Sequence, residues 1–306
     1  MANNKKQAFR TYELIIGKPS TGKGLQIIGD EIKGLGLNIS FRIKKELNNS
    51  EKTNYASIDI FNLSDDSIKY IEEDKTAIIV KVGWNGDNKL LFTGIVDEIE
   101  TEDRVGSPDR KTSLRCKPTS SLIYQPTISK TFPKNTSPRD IIEYLVGQSG
   151  SIIKSAFNSE NVNKRFPFGY TVNGSTKEVL DQLAIDFNFN YRIDNKRLSV
   201  SDPNRYESQN SVSRAYQFTP ETGLIGIPTY ASADGKKVKD DKQAKAGVKF
   251  QALINPLVTP GSAVSIQDVD LVGIYRVNSV EYNGEWRQEQ PWYMTCYCSK
   301  LKGSEV

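Results

Sequence analysis

Apolar and polar residues alternate in five short segments between residues 37 and 118. The segments are LNISFRI, YASIDIFNL, TAIIVKVGW, KLLFTGIVDEI and KTSLRCKP, and Asn, Gly, Asp and Pro separate them. This period of two predicts strands that bury one face, so Ile58 and Ile60 should point inward and Asp59 outward. Asn85 and Gly86 predict a tight hairpin between the third and fourth segments. Strands this short favour a small closed β-barrel over an open sheet.

One short helix interrupts this β region in the segment LSDDSIKYIEED. Ser64 can cap its N-terminus, and Ile68 and Ile71 are three residues apart, which places them on one helical face. The first region is therefore predicted to be a barrel with a single helix.

The pattern changes near residue 133 to that of an α/β module. Ser137, Pro138 and Asp140 supply an N-cap, a proline at the first helical position and an acidic residue in the first turn. Ser175 and Glu178 form a capping box for a second helix. The segment FNYRIDNKRLSVSD that follows predicts a hairpin of two strands.

Strand-like alternation returns after Pro203, in ETGLIGIPTYA, AGVKFQALI, SAVSIQDV, VGIYRVNSVEYN and WYMTCYCSK. Residues 76–96 and 262–277 share a similar pattern, and each β region closes on a strand that carries cysteine. We therefore predict a mainly β (α+β) fold in which two similar small β-barrels flank an α/β insert. The predicted domains are a first β-barrel at 1–130, the insert at 131–205 and a second β-barrel at 206–306.

A charged segment, DGKKVKDDKQAK at 234–245, joins the first two strand-like runs of the second barrel. It has five lysines and three aspartates and few apolar residues, which is typical of a long exposed hairpin loop. Long loops of this kind often contact partners. The candidate partner-contact residues are Lys236, Lys237, Lys239, Lys242 and Lys245.

The stretch GKPSTGKG at 17–24 follows an apolar run, as a phosphate-binding loop would. Gly17, Gly22 and Lys23 fit that motif, but Gly24 occupies the position of the Ser or Thr that binds Mg²⁺. The residues that follow predict a strand, whereas a phosphate site needs the N-terminus of a helix. We therefore interpret the stretch as a hairpin connection and expect no nucleotide or other cofactor.

The chain has 41 Lys and Arg against 37 Asp and Glu, for a net charge of +4. This bias is far weaker than the basic footprint of a dedicated nucleic-acid-binding protein. The N-terminus MANNKKQAFR has no apolar signal-peptide core, and no run approaches the roughly 18 apolar residues of a membrane span. We expect a protein made in a cytoplasm, without a membrane span.

The absence of histidine from the chain restricts its chemistry. It removes the usual general base, the serine and cysteine triads and the commonest zinc ligand. The chain has an odd number of cysteines, which suits a reducing compartment better than a set of disulfides. We expect all three to be buried structural thiols and to bind no metal: Cys116, Cys296 and Cys298. Cys296 and Cys298 lie in an alternating segment, so they should point to one face.

Carboxylate catalysis remains possible in the segment IVDEIETEDR. Its acidic residues nearly alternate with isoleucine, which favours a solvated strand face followed by a turn. The residues are Asp97, Glu98, Glu100, Glu102 and Asp103.

Several of these segments resemble one protein family. ASIDIFNLSDDSIKYI followed by KLLFTGIVDEIE resembles the first barrel of bacteriophage tail-hub, or baseplate hub, proteins, where an I-x-NLS strand end precedes a short helix. GLIGIPTYA, GVKFQALINPLVTPGSAVSI and GIYRVNSVEYNGEW resemble its second barrel. The helices SPRDII and STKEVLDQLA lie where that family carries an α/β insert. The resemblance extends from about residue 12 to 299, and the order of the three parts contributes most to it.

The resemblance implies that the two β-barrels are of the tail-tube type and that the protein is a structural, non-enzymatic hub of a phage tail tip or baseplate. Such hubs are homotrimers that join the tail tube to the central spike, and they adapt a six-fold ring to a three-fold one. The implied partners are further copies of the chain, the tail tube protein, the central spike protein, other baseplate proteins, the tape-measure protein and DNA in passage. The implied location is the virion, after synthesis in the host cytoplasm.

Two alternatives remain open from the residues themselves. The stretch VNGSTKEVLDQLAIDFNFNYRIDNKRLSV alone resembles small α/β domains of secretion-channel proteins, which would make the chain an envelope or secretion-channel binding module. A carboxylate-based cell-wall glycosidase would need two facing carboxylates, which sequence cannot place.

Overall fold

The computed structural model describes residues 7–18, 23–47, 54–72, 76–102, 108–118, 127–149, 153–194, 197–203, 215–231, 247–268, 271–286 and 291–300. The lysine-rich segment 234–245, residues 19–22 and Asp103 lie outside these ranges.

Within the described residues, the first β region contains seven strands and one helix. They are β1 (Arg10–Lys18), β2 (Lys23–Asp30), β3 (Ile39–Glu46), β4 (Tyr55–Phe61), α1 (Asp65–Glu72), β5 (Ala77–Trp84), β6 (Asp87–Glu102) and β7 (Lys111–Pro118). Every alternating segment between residues 37 and 118 forms the strand that its pattern predicts.

The register predicted for β4 is confirmed. Ile58 and Ile60 are fully buried. Asp59 points to the other face, where it accepts hydrogen bonds from Ser40 Oγ at 3.2 Å and Ser113 Oγ at 2.7 Å. One face of the strand therefore packs in the core, and the other carries a small polar network.

The hairpin between β5 and β6 has the predicted two-residue turn. Asn85 and Gly86 have φ angles of 54° and 83°, and Trp84 lies opposite Asp87. A turn with positive φ at both central residues matches the twist of the flanking strands, which is why Asn-Gly is favoured here.

Where the structure describes it, the α/β insert contains two α-helices and two small sheets. Its elements are β8 (Ile128–Phe132), α2 (Pro138–Ser149), β9 (Ile153–Asn158), β10 (Tyr170–Gly174), α3 (Thr176–Asp186), β11 (Asn190–Asp194) and β12 (Arg197–Ser201). β8 pairs with β10, and β12 lies between β9 and β11. Its apolar residues, among them Ile141, Leu180 and Tyr191, form a core that is separate from the core of the β regions.

The three predicted helix N-termini are capped as the sequence indicates. Ser64 Oγ accepts a hydrogen bond from the backbone N–H three residues later, at 3.3 Å. Ser137 and Asp140 form reciprocal side-chain to backbone bonds, at 3.3 and 2.8 Å, and Ser175 and Glu178 form a capping box. No helix in the described ranges is long and apolar enough to cross a bilayer.

The described part of the second β region contains six strands. They are β13 (Tyr216–Phe218), β14 (Leu224–Ala231), β15 (Gly247–Leu253), β16 (Ala263–Gln267), β17 (Val272–Glu285) and β18 (Trp292–Lys300). Each predicted segment of this region again forms a strand.

The described strands of both β regions form one sheet of 13 strands, in the order β14-β15-β18-β17-β3-β4-β7-β6-β5-β1-β2, with β16 and β13 branching from β17. They therefore meet edge to edge at β3 and β17, and they share one apolar core. The mainly β fold with an α/β insert is confirmed. The pairings among the described residues do not close either region into a ring, so its closure into a barrel remains a prediction.

The two β regions repeat one arrangement of five strands. The order β3-β4-β7-β6-β5 in the first corresponds to β14-β15-β18-β17-β16 in the second, and all neighbours are antiparallel. Val96 lies opposite Cys116 and Val277 opposite Cys298, and one residue bulges out directly after each valine. The faint similarity between the two regions of sequence is thus a structural repeat with matching register.

Candidate interaction surfaces

The internal junction between the β regions is an antiparallel pairing of seven residue pairs between β3 and the second half of β17. Ile43 and Tyr282 face each other across it, and both are fully buried. On the opposite face, Arg42 Nε lies 2.8 Å from Glu281 Oε1. The junction therefore combines backbone hydrogen bonds, apolar burial and an ion pair, which fix the two regions in one register.

An aromatic cluster reinforces this junction from the core side. Tyr12 packs edge-on against Trp286 with ring centroids 4.8 Å apart, and Phe41 packs edge-on against Trp292 at 5.3 Å. The Arg10 guanidinium lies 5.9 Å from the ring centroid of Trp292. Such geometries add to the stability gained from burial. Because both β regions contribute residues, the cluster resists relative movement of the two.

The insert contacts the first β region through a buried ion pair. Lys45 Nζ on β3 lies 3.1 Å from Asp194 Oδ1 and 3.0 Å from Oδ2, and Arg192 Nη1 lies 3.0 Å from Oδ2. Burial lowers the pKa of Lys45, and the nearby carboxylate of Asp194 partly opposes that shift. An ammonium group in this position is tolerated because a counter-charge lies against it.

A second buried cation ties the end of the insert to β17. Arg276 Nη1 donates to the backbone carbonyls of Asp202, at 3.1 Å, and of Pro203. Its Nε donates to Asn278 Oδ1 at 3.3 Å. The insert thus has its own apolar core and contacts the sheet through charged and polar groups. Neither Lys45 nor Arg276 was among the residues that the sequence suggested.

Three acidic residues in the second half of β6 form cross-strand ion pairs with β7. The pairs are Lys117–Asp97 at 2.8 Å, Arg115–Glu98 at 3.3 Å and Lys111–Glu102 at 2.7 Å. Glu98 and Glu102 lie directly opposite their partners, where unlike charges favour strand pairing. These carboxylates line a solvated strand face, as the pattern predicts, and do not face each other across a cleft.

The three cysteines are free, buried thiols, as predicted. Burial raises the pKa of Cys116 to about 12 and also raises the pKa values of Cys296 and Cys298. Thiols that remain protonated are poor nucleophiles and poor metal ligands. Within the described residues, no group of three or more Cys, Asp or Glu side chains is placed to hold a metal ion.

Two stretches suggested by sequence connect paired strands. β1 and β2 are antiparallel neighbours down to Lys18 opposite Lys23, so GKPSTGKG joins a hairpin, as predicted, and leads into a strand. Likewise β14 and β15 pair antiparallel up to Ala231 opposite Gly247, on either side of the lysine-rich segment. The five candidate lysines themselves lie outside the described residues, and their role as partner contacts remains a prediction.

One protein family matches residues 24–298 of the sequence, and its description is baseplate hub gp41. The chain belongs to the baseplate hub gp41 family. The match includes both β regions and the insert, so the resemblance stated from the sequence is confirmed. Family membership gives this baseplate hub a structural role in the tail of a phage particle. No curated protein matches the chain.

Solved structures with the same fold include other tail proteins. The 43 kDa tail protein of prophage MuSo2 from Shewanella oneidensis has a TM-score of 0.62 at 10% identity, over 94% of this chain and 98% of its own. A tail protein from Neisseria meningitidis MC58 has a TM-score of 0.59 at 12% identity, over 94% and 96%.

An Escherichia coli protein also shares the fold, with a TM-score of 0.57 at 11% identity, over 87% of this chain and 74% of its own. It is described as a component of the type VI secretion system with structural similarity to T4 bacteriophage tail proteins gp27 and gp5. At such low identities these similarities establish the fold alone.

Proposed function

We propose that this baseplate hub is a symmetry adaptor, in which three copies form a ring of six β regions that alternate between the first and second kind. The structural repeat carries the proposal, because five strands of each region share one order and one register. Two similar units per chain give a three-copy ring an approximate six-fold arrangement. Such a ring can meet a six-fold tail tube on one side and a three-fold spike on the other.

The internal junction supports this role physically. An adaptor must hold its two tube-like units at a fixed angle, so that all six present equivalent surfaces. The seven-pair strand junction and the aromatic cluster beneath it provide that rigidity within each chain.

We propose that the functional division of the chain follows residues 1–130, 131–205 and 206–306. The two β regions would contact the tail tube protein and the central spike protein, and the insert would contact other baseplate proteins. The ring lumen would pass the tape-measure protein and DNA. Lysines in the segment 234–245 would contact a neighbouring tail component. The protein is synthesised in the host cytoplasm, acts without a cofactor and catalyses no reaction.

The copy number of the hub in purified tails tests this role. Quantitative mass spectrometry with isotope-labelled peptides should give three hub chains per tail and a ratio of one to one with the spike protein. The tube protein, measured in the same digest, serves as an internal control because its copies occur in multiples of six. A value of six hub chains per tail would contradict the adaptor role.

A further inference from the structure

The structural repeat shows which strands correspond at the two ends of the sheet. In the internal junction, β3 of the first region pairs with the second half of β17. The counterpart of β3 in the second region is β14, and the counterpart of β17 in the first region is β6. Within each chain, β3 is therefore joined to β17. Their counterparts, β14 and β6, form a second pair of edges of the same two types, and these two are not joined to each other.

This second pair of edges has no described strand against it. β14 ends the sheet order, with β15 on one side only. The first half of β6 lies between β5 and β7, whereas residues 98–102 pair with β7 alone. Edges of this kind present rows of backbone N–H and C=O groups to another strand.

Side chains on β14 and β6 are more exposed than their counterparts on β3 and β17, as expected if β14 and β6 lack a neighbouring strand. Ile43 on β3 and Tyr230 on β14 occupy equivalent positions. Ile43 lies opposite Ala56, which lies opposite Cys116. In the same way, Tyr230 lies opposite Val248, which lies opposite Cys298. Ile43 has 0% of its surface exposed and Tyr230 has 58%. Likewise Val280 on β17 is fully buried, whereas its counterpart Ile99 on β6 is only partly buried.

We propose that β14 of one copy pairs antiparallel with the second half of β6 of a second copy, in the register of the internal junction. In that junction Lys44, Ile43 and Arg42 lie opposite Glu281, Tyr282 and Asn283. Transfer of this register through the repeat places Ala231, Tyr230 and Thr229 opposite Glu100, Thr101 and Glu102 of the second copy. The inference rests on the three-copy ring proposed above. A contact between two different edges is a head-to-tail contact, and it forms a closed ring only if the rotation between successive copies brings the last copy back against the first.

A bulge limits the length of the proposed contact. Between Ile225 and Thr229 the pairing of β14 with β15 is interrupted, Gly226 has a φ of 66°, and Pro228 has no N–H to donate. Only the three residues from Thr229 to Ala231 remain regular at the end of β14. A three-pair contact is weak alone, so we expect monomers in dilute solution and the paired state in the assembled tail.

A disulfide between Tyr230→Cys and Thr101→Cys tests the register. Directly opposed antiparallel residues have Cα atoms about 4.5–5.5 Å apart, a separation that suits a disulfide. The native thiols are buried with raised pKa values, so they should not compete. In tails assembled with this double variant, mild oxidation should convert most of the hub protein into a covalent trimer on non-reducing gels.

The matched control is Tyr230→Cys with Lys89→Cys, because Lys89 lies on the half of β6 that β5 covers. It should give less than a tenth of the cross-linked product. A second pair, Ala231→Cys with Glu100→Cys, should cross-link as the first does if one variant assembles poorly. If each tail holds three copies but neither pair of cysteines forms a cross-link, the proposed register is wrong, whereas the proposal of a three-copy ring still stands. A copy number other than three would instead overturn the ring itself.

Discussion

Ile60→Asp is expected to abolish soluble expression of the hub. Ile60 is fully buried between Ile39 on β3 and Thr112 on β7, so the carboxylate would enter the apolar core that both β regions share. An unpaired charge there costs several kcal/mol, which is comparable to the whole stability of a domain, about 5–15 kcal/mol. The soluble fraction of an expression lysate measures the effect.

The matched control is the neighbouring substitution Asp59→Ala on the other face of β4. It removes an acceptor for the hydroxyls of Ser40 and Ser113, each worth about 1 kcal/mol. The variant should therefore fold, with a small loss in the denaturant midpoint. Soluble Ile60→Asp together with insoluble Asp59→Ala would mean that the faces of β4 are reversed.

Asp194→Asn should destabilise the protein by about 3–5 kcal/mol, the usual cost of removing one partner of a buried ion pair. The neutral side chain would leave the Lys45 ammonium, only 8% exposed, and the Arg192 guanidinium without the carboxylate that lies 3.0 Å from each. Urea-induced unfolding monitored by fluorescence would measure the loss.

Two further variants separate the electrostatic cause from a general disturbance. Glu98→Gln breaks an exposed pair with Arg115 and should cost at most about 1 kcal/mol. The double variant Lys45→Met with Asp194→Asn should regain part of the loss, because it also removes the buried ammonium. If the free energy of unfolding of Asp194→Asn lies within about 1 kcal/mol of the value for the parent protein, the ion pair does not stabilise the contact between the insert and the sheet.

Local sequence patterns were sufficient to predict the strands of the alternating segments and the helix caps, but not β8, β9, β10 or β13. The alternation around Ile58 and Ile60 fixed the inward face of β4, because a strand with one buried face tolerates only one parity. Asn85-Gly86 and the Ser175–Glu178 capping box are short-range signals whose chemistry depends on residues a few positions apart. Such features need no knowledge of the rest of the fold.

Contacts between distant segments could not be predicted in this way. The pairing of β3 with β17 joins residues more than 230 positions apart, and nothing in either segment identifies the other. Lys45 did leave a signal, because it occupies the core-facing parity of β3 that Ile39, Phe41 and Ile43 share. Its partner Asp194 lies 149 positions away, on a separately packed module, so sequence could suggest a buried lysine but not its counter-charge.

Reconstruction of the assembled tail tip by electron cryomicroscopy tests the symmetry-adaptor role most directly. We expect three hub chains in one ring, with their six β regions at the same height and with first and second kinds alternating. We also expect continuous strand density from β14 of each copy to β6 of the next. A ring of six hub chains, or two β regions stacked at different heights along the tail axis, would contradict it.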